Sequence, residues 1–261
     1  MLRGTGQARK STTTRMNPFP DTTRPARTAL VTGARSGIGE ACVTRFLDDG
    51  WDVIGWDLGP GGDPRVRWAT VDVSDWDAVA QEADCAPPLD AVVNCAGIAL
   101  ITPTLSMSRE DWDRTLAINL NGAYYVSRHL YAPLRAAGGV LVQVASVNAK
   151  NTTRFRAPYN ASKAGLVSLT QALAVEWALE NSGIRVFCVS PGITRTQTAT
   201  IRIEQGLIDE RTLLDRIPTR RWIETSEIAS AIVGLIGGDF SALHGANVII
   251  DAGYDAWGGH L

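Results

Sequence analysis

Histidine and paired cysteine are scarce in this chain, and long apolar runs are missing. Its 261 residues include three histidines and four cysteines. No two of Cys42, Cys85, Cys95 and Cys188 form a CxxC pair, and no histidine lies near enough to complete a zinc pattern, so no metal site is expected. Cys95 and Cys188 fall in apolar runs that read as strands, where a thiol serves as a small buried hydrophobe. That usage suits a reducing cytoplasm. No apolar stretch reaches the ~18 residues a membrane span needs. Excess charge is missing too. With 25 basic and 27 acidic residues the formal net charge is -2, which gives no reason to expect nucleic acid or an anionic membrane as partner.

What is present is an ordinary core-forming composition, 45% hydrophobic and 20% charged. Residues 1–27 stand apart: basic residues, among them Arg3, Lys10, Arg15, Arg24 and Arg27, face one acid, Asp21, with no apolar segment between them. With that pattern a secretory signal is not expected. It has a faint likeness to a transit peptide, but a disordered N-terminal tail is the preferred reading, with Met16 as an alternative start. No Pro/Ser-rich linker divides the chain after residue 27, so residues 28–261 are read as one domain.

From Thr28 onward short apolar runs alternate with helical patterns about seven times. Strands are expected at Thr28–Thr32, Trp51–Trp56, Arg67–Val71, Leu89–Asn94, Val140–Val144, Ile184–Val189 and Asn247–Ile250. Helices are expected after Gly39, over Asp75–Ala83, as one long helix over Arg109–Ala136, from Pro158 to about Asn181, and over Ser226–Ile236. Residues 194–222 read as an irregular charged stretch. Continuous rather than alternating apolar strands imply cover on both faces. The expected fold is therefore α/β: a doubly wound, Rossmann-like parallel sheet of about seven strands with helices on both faces, in a single domain.

Glycines at 33, 37 and 39 lie between the first strand and the first helix. Such a loop lets backbone approach a pyrophosphate at a helix N-terminus, although a plain tight turn uses glycine too. Asp57 ends the second strand, suited to accept hydrogen bonds from adenosine ribose hydroxyls and to repel a 2′-phosphate. Ser36 and Leu58 supply no cation; Arg35 is the one possible phosphate partner. The expected cofactor is NAD, with NADP less favoured.

Tyr159 and Lys163 lie four apart on a predicted helix and share a face. A free tyrosine titrates near ~10. A neighbouring ammonium favours the phenolate, which can take an alcohol proton while hydride leaves for the cofactor. Ser146, just past a strand end, is placed to hydrogen-bond the substrate oxygen; a turn serine is the plain alternative. Asn119, a poor helix former inside a helix, is placed either to hold a water beside Lys163 or to face solvent.

Together these residues resemble the short-chain dehydrogenases/reductases, over residues 28 to 255. Thr32-Gly33 with Gly37-Ile38-Gly39 matches the family's cofactor loop, Asp72-Val73 its adenine-binding pair, and Asn94-Cys95-Ala96-Gly97 its NNAG element with Cys for the second Asn. Asn119 and Gly122 match the Asn-x-x-Gly of its central helix, Ser146, Tyr159 and Lys163 its triad, and Pro191-Gly192-Ile193 with Thr196 its nicotinamide-contacting segment. The resemblance implies that Tyr159 is the acid/base, Lys163 binds the nicotinamide ribose, Ser146 orients the substrate oxygen and Asn119 anchors a relay water. It also implies a homotetramer, or homodimer, with no metal. Asp251-Ala252-Gly253 departs from the family's DGG.

Substrate choice is expected in residues 147–156, in 193–222 and at the C-terminus. Arg154 or Arg156 is a candidate for a substrate carboxylate, a solvated or subunit-contact role being the alternative. Arg216-Ile-Pro218, Arg221-Trp222, Gly253-Tyr254 and Trp257 look similar to relatives acting on sugars, sugar acids and polyols. A small polyol, sugar, sugar acid or cyclic alcohol is the expected substrate. A 3-oxoacyl-carrier-protein-type reductase and a non-catalytic nucleotide-binding regulator are the alternatives, the second disfavoured by the intact tetrad.

Overall fold

A computed structural model describes residues 26–206 and 209–257, without the side chain of Thr198. The expected disordered tail lies outside the described residues apart from its end, as does Met16. Arg27, the last tail residue, stacks its guanidinium over Trp51 at 4.2 Å from the ring centroid.

Seven strands form one parallel sheet: β1 (Thr28–Thr32), β2 (Asp52–Asp57), β3 (Val66–Thr70), β4 (Ala91–Asn94), β5 (Val140–Val144), β6 (Arg185–Pro191) and β9 (Asn247–Ile250). A two-residue pair, β7 (Thr194–Arg195) and β8 (Ile223–Glu224), forms a second small sheet. The main order is β3-β2-β1-β4-β5-β6-β9, every pairing parallel. The order reverses between β1 and β4, and a crevice opens there beyond the strands' carboxyl ends.

Residue alternation explains the continuous apolar runs. Ala29, Val31, Val93, Val142 and Val189 face one core with helices α1 (Gly37–Asp48) and α9 (Thr225–Gly237). Leu30, Val92, Leu141 and Val186 face the other. That second core includes residues of α2 (Trp76–Ala83), α4 (Ala123–His129), α5 (Tyr131–Ala137) and α6 (Ala157–Leu179).

The long helix expected over 109–136 is three helices. After α3 (Arg109–Leu116), residues Ala117–Gly122 widen into a π-helical turn, and α4 then ends at His129. Pro133 explains the second break: it has no N–H for the His129 carbonyl. The 194–222 stretch is also more regular than expected. It contains α7 (Gln197–Glu204) and α8 (Glu210–Leu214), capped by Thr196, whose hydroxyl accepts from Ala199 N at 3.2 Å, and by Asp209, which accepts from Arg211 N at 3.1 Å. The chain beyond Asp251, unassigned from sequence, includes α10 (Tyr254–Trp257). No described helix is long and apolar enough to cross a membrane.

Candidate active site

A cavity of about 650 Å³ lies at the switch point between β1 and β4. Gly33, Ser36, Gly37, Ile38, Gly39, Ala96, Gly97, Ser146, Tyr159, Lys163, Pro191, Gly192, Ile193 and Thr196 all line it. Residues up to 163 positions apart in sequence thus meet in one space because each follows, or packs on, a strand's carboxyl end.

The glycine loop is built for close approach. A Cβ on Gly39 would sit 2.1 Å from the Gly33 carbonyl oxygen, and one on Gly33 would sit 2.9 Å from Ala96 N. Gly33 and Gly37 also have positive φ, 63° and 57°. Ser36 precedes α1 yet makes no side-chain cap, whereas Asp75, Ser108 and Thr196 all cap the helices that follow them. The first-turn N–H groups of α1 therefore lack a side-chain acceptor beside an open cavity. That end has the chemistry a dinucleotide's pyrophosphate needs: Gly37, Ile38 and Gly39 N–H could hold it, with Thr196 lining the same cavity.

Asp57 lies outside the cavity wall, at the end of β2. Its carboxylate accepts from Arg35 N at 3.0 Å and Leu58 N at 2.8 Å, joining the glycine loop to the strand end. Arg35 is exposed and lies over Gly59, where a Cβ would meet its guanidinium nitrogen at 2.8 Å. Leu58 is 66% exposed. Asp72 is exposed and accepts from Ser74 N and Oγ. Val73 is buried, and Gly122 makes room for it: a Cβ there would lie 2.9 Å from the Val73 carbonyl oxygen.

Asn94 also falls outside the cavity wall. Its amide donates to Gln143 Oε1 at 3.0 Å and to the Ala123 carbonyl at 3.4 Å, and accepts from Thr32 Oγ1 at 3.5 Å. That side chain ties β4 to β5, β1 and α4, so its effect on the cavity is positional. Cys95 follows β4, whose end at Asn94 is the expected one, and lines the cavity. The hydrogen bond that the buried Cys42 thiol donates to Cys95 is the largest effect raising it, with burial next. Burial pushes the Cys188 thiol up to about 11. Neither buried thiol is poised as a nucleophile.

Asn119 sits in the π-helical turn. Its Nδ2 donates to the Ile98 carbonyl (2.9 Å) and to Ser162 Oγ (3.1 Å), and its Oδ1 accepts from Ile98 N (2.8 Å). One Oδ1 lone pair remains. A Cβ on Gly97 would lie 3.2 Å from that oxygen and 3.6 Å from Lys163 Nζ, so both atoms flank the same glycine. Lys163 is buried. Its ammonium donates to the Val144 carbonyl at 2.7 Å and lies 5.8 Å from the Tyr159 ring centroid. Ser146 Oγ accepts from Asn148 N at 3.1 Å, leaving its hydrogen free to be donated into the cavity.

The far wall comes from loops. Asn148 donates to Asn160 and accepts from Thr153, and Lys150 and Asn151 both hold Asp255 of α10. Trp222 donates from its indole to Glu210 at 2.6 Å. Next to it, Arg221 forks onto Glu227 at 2.7 and 2.8 Å, and Glu227 also accepts from Glu224 N. Arg221's hydrogen bonds and then the Glu224 N–H hold the Glu227 carboxyl down to about 2. A depressed folded value means the stabilisation is present above the ordinary carboxylate range and is lost as pH falls toward about 2. Glu227→Gln is expected to lower Tm by about 2–4 °C at pH 7, a gap that narrows below about pH 4.5. Thermal unfolding of both proteins from pH 7 to pH 3 checks this; a gap independent of pH contradicts it.

A family model described as enoyl-(acyl carrier protein) reductase matches residues 33–255. The chain is 34% identical over 244 residues to D-threitol dehydrogenase of Mycolicibacterium smegmatis, covering 87% of this chain and 92% of that one. This protein belongs to the short-chain dehydrogenase/reductase family. It is 33% identical to galactitol 2-dehydrogenase (L-tagatose-forming) of Cereibacter sphaeroides, over 88% of this chain and 95% of that one. Among solved structures, the aldohexose dehydrogenase of Thermoplasma acidophilum superposes with a TM-score of 0.82 at 27% identity, over 88% of this chain and 94% of that one. As a short-chain dehydrogenase/reductase with alcohol-dehydrogenase relatives, the protein is an oxidoreductase acting on alcohols.

Several cavity residues carried no motif in the sequence. Arg202 on α7, with Ala99 and Leu100 after β4, was not anticipated. Of the residues singled out for substrate choice, Arg156, Arg216, Trp222 and Tyr254 line the cavity, whereas Arg154, Pro218, Arg221, Gly253 and Trp257 do not. The Arg154 guanidinium rests 5.2 Å from the Phe155 ring centroid.

Proposed function

We propose that the enzyme uses NAD(H) to interconvert a secondary alcohol and its ketone, with Tyr159 as the acid/base. The observation that carries this is the convergence of Ser146, Tyr159 and a buried Lys163 on the cavity that the uncapped end of α1 also faces. Bound there, the nicotinamide supplies the acceptor for the carbinol hydride. Ser146 Oγ–H holds the substrate oxygen. Tyr159, as phenolate, takes the hydroxyl proton, and the Lys163 ammonium stabilises the negative oxygen that Tyr159 must carry beforehand. In reduction the same phenol returns the proton. Asn119 acts through its grip on Ile98, and its remaining lone pair offers a place for a water beside Lys163.

The substrate is a small polyol, sugar, sugar acid or cyclic alcohol, in keeping with the dehydrogenase relatives. Asp57 supports NAD: a 2′-phosphate on the adenosine ribose would meet its carboxylate, with Arg35 as the neighbouring cation. Wild-type kcat/KM is expected to favour NAD over NADP by more than tenfold, and Asp57→Ser to erase most of that preference. Steady-state rates with both cofactors decide it; a tenfold preference for NADP removes NAD from this reading. A homotetramer or homodimer is favoured by Val175 and Leu179 on α6, which are 60% and 79% exposed. A cytoplasmic setting is favoured by four cysteines that are all free.

A further inference from the structure

Among the described residues three arginines line the cavity, and no aspartate or glutamate does. Arg156 precedes α6, Arg202 lies on α7, and Arg216 follows α8 at the mouth. Nearby arginines are neutralised: Arg195 by Glu210 and Glu224, Arg220 by Asp215, Arg221 by Glu227. Among the described residues none of the three in the cavity has a carboxylate within ion-pair distance. Arg202 reaches the Ala99 carbonyl at 3.4 Å, and Arg216 the Tyr254 hydroxyl at 2.7 Å. The Arg156 guanidinium makes no hydrogen bond to any described residue and lies 6.0 Å from the Tyr159 ring centroid.

Backbone geometry places Arg156 there. Phe155 has φ 63°, a conformation costly for a bulky residue, and its carbonyl is held by Thr102 N at 2.8 Å. That turn leaves the Phe155 ring exposed and separates Arg154 outside from Arg156 inside. Burial holds the Arg156 guanidinium below its ordinary value; the Tyr159 phenol opposes this and the charge of Arg202 adds to it. Two partly buried cations that repel each other across a cavity make a cost that an anion between them offsets.

The cofactor does not account for them. Its pyrophosphate is served by the start of α1 opposite Thr196, whereas Arg202 lies six residues further along α7, about 9 Å of helix rise. We propose that the substrate carries an anionic oxygen group, a carboxylate or a phosphate, held by Arg156 and Arg202 while its secondary alcohol faces Tyr159. Guanidinium forks match either group in two-point geometry. This rests on the alcohol-dehydrogenase reading above and narrows its substrate class.

The test uses the full chain and a matched series: xylitol, xylonate and xylitol 5-phosphate, with NAD reduction followed by absorbance. A charged member is expected to exceed xylitol in kcat/KM by at least about tenfold, and which one prevails separates carboxylate from phosphate. R156Q and R202Q are each expected to cut that preference roughly ten- to hundred-fold, mainly through KM, while R154Q leaves it intact. Calorimetric titration of xylonate and of xylitol 5-phosphate onto the enzyme–NADH complex is expected to show the same weakening, with Tm and NADH affinity retained as folding controls. If xylitol is preferred, or if R156Q and R202Q depress charged and neutral substrates alike, the anionic substrate is overturned and the dehydrogenase reading stands. If no alcohol in a wider panel is turned over, both fail.

Discussion

Tyr159→Phe is expected to lower kcat by about three orders of magnitude and to leave NADH affinity within about threefold of wild type. The substitution removes one oxygen from a side chain in the cavity wall and keeps the ring against its neighbours. Lys163 still donates to Val144, and the start of α1 still faces the cavity. What is lost is the hydroxyl to which the proposed mechanism assigns the proton; Tyr254, the other tyrosine lining the cavity among the described residues, has its hydroxyl engaged by Arg216. Single-turnover absorbance and NADH fluorescence separate chemistry from binding. Retention of a tenth or more of wild-type kcat would remove Tyr159 from its role.

Gly39→Ala carries the second large effect, on folding and cofactor binding together. The added carbon would stand 2.1 Å from the Gly33 carbonyl oxygen and 3.3 Å from Ala34 Cα. Both obstacles are backbone, so no rotamer change relieves them. Either α1 moves off the loop or the loop opens. We expect a loss of about 3 kcal/mol in denaturant unfolding, with NADH binding weakened by at least a hundredfold because the helix end and the loop no longer share one geometry. Gly62→Ala, where nothing lies within 4 Å, is the control and should be near neutral. Equal behaviour of the two variants would contradict the close-packing account of the loop.

The strands were legible because parallel strands buried on both faces are apolar at every position. Ala29, Leu30 and Val31 serve opposite cores in turn, and each is fully buried. The glycine loop was legible because a Cβ is excluded there by backbone, which leaves a spacing in sequence. The π-helical turn was not: it depends on Asn119 meeting Ile98, a contact 21 residues away that no helical period encodes. The orientation of Asn94 was hidden for a similar reason, since its partners Gln143 and Ala123 are brought near only by the sheet order and the helix covering it. Helices α7 and α8 are short and polar. Their one local signal was a capping residue before each, Thr196 and Asp209. Arg202 then had no motif to mark it, and only the fold carries it to the cavity.

Tyr159 and Lys163 stand on α6 and Ser146 just past the end of β5, against the main sheet, whereas Arg202, Arg216 and Trp222 belong to a segment outside that sheet. The two parts answer to separate demands. Exchanging Arg202 or Arg216 is expected to re-tailor what is admitted while the layers of the fold stay in place, whereas Ile217 and Trp222 in the same segment are buried and belong to the packing, so a change of diet for this enzyme starts at the two arginines.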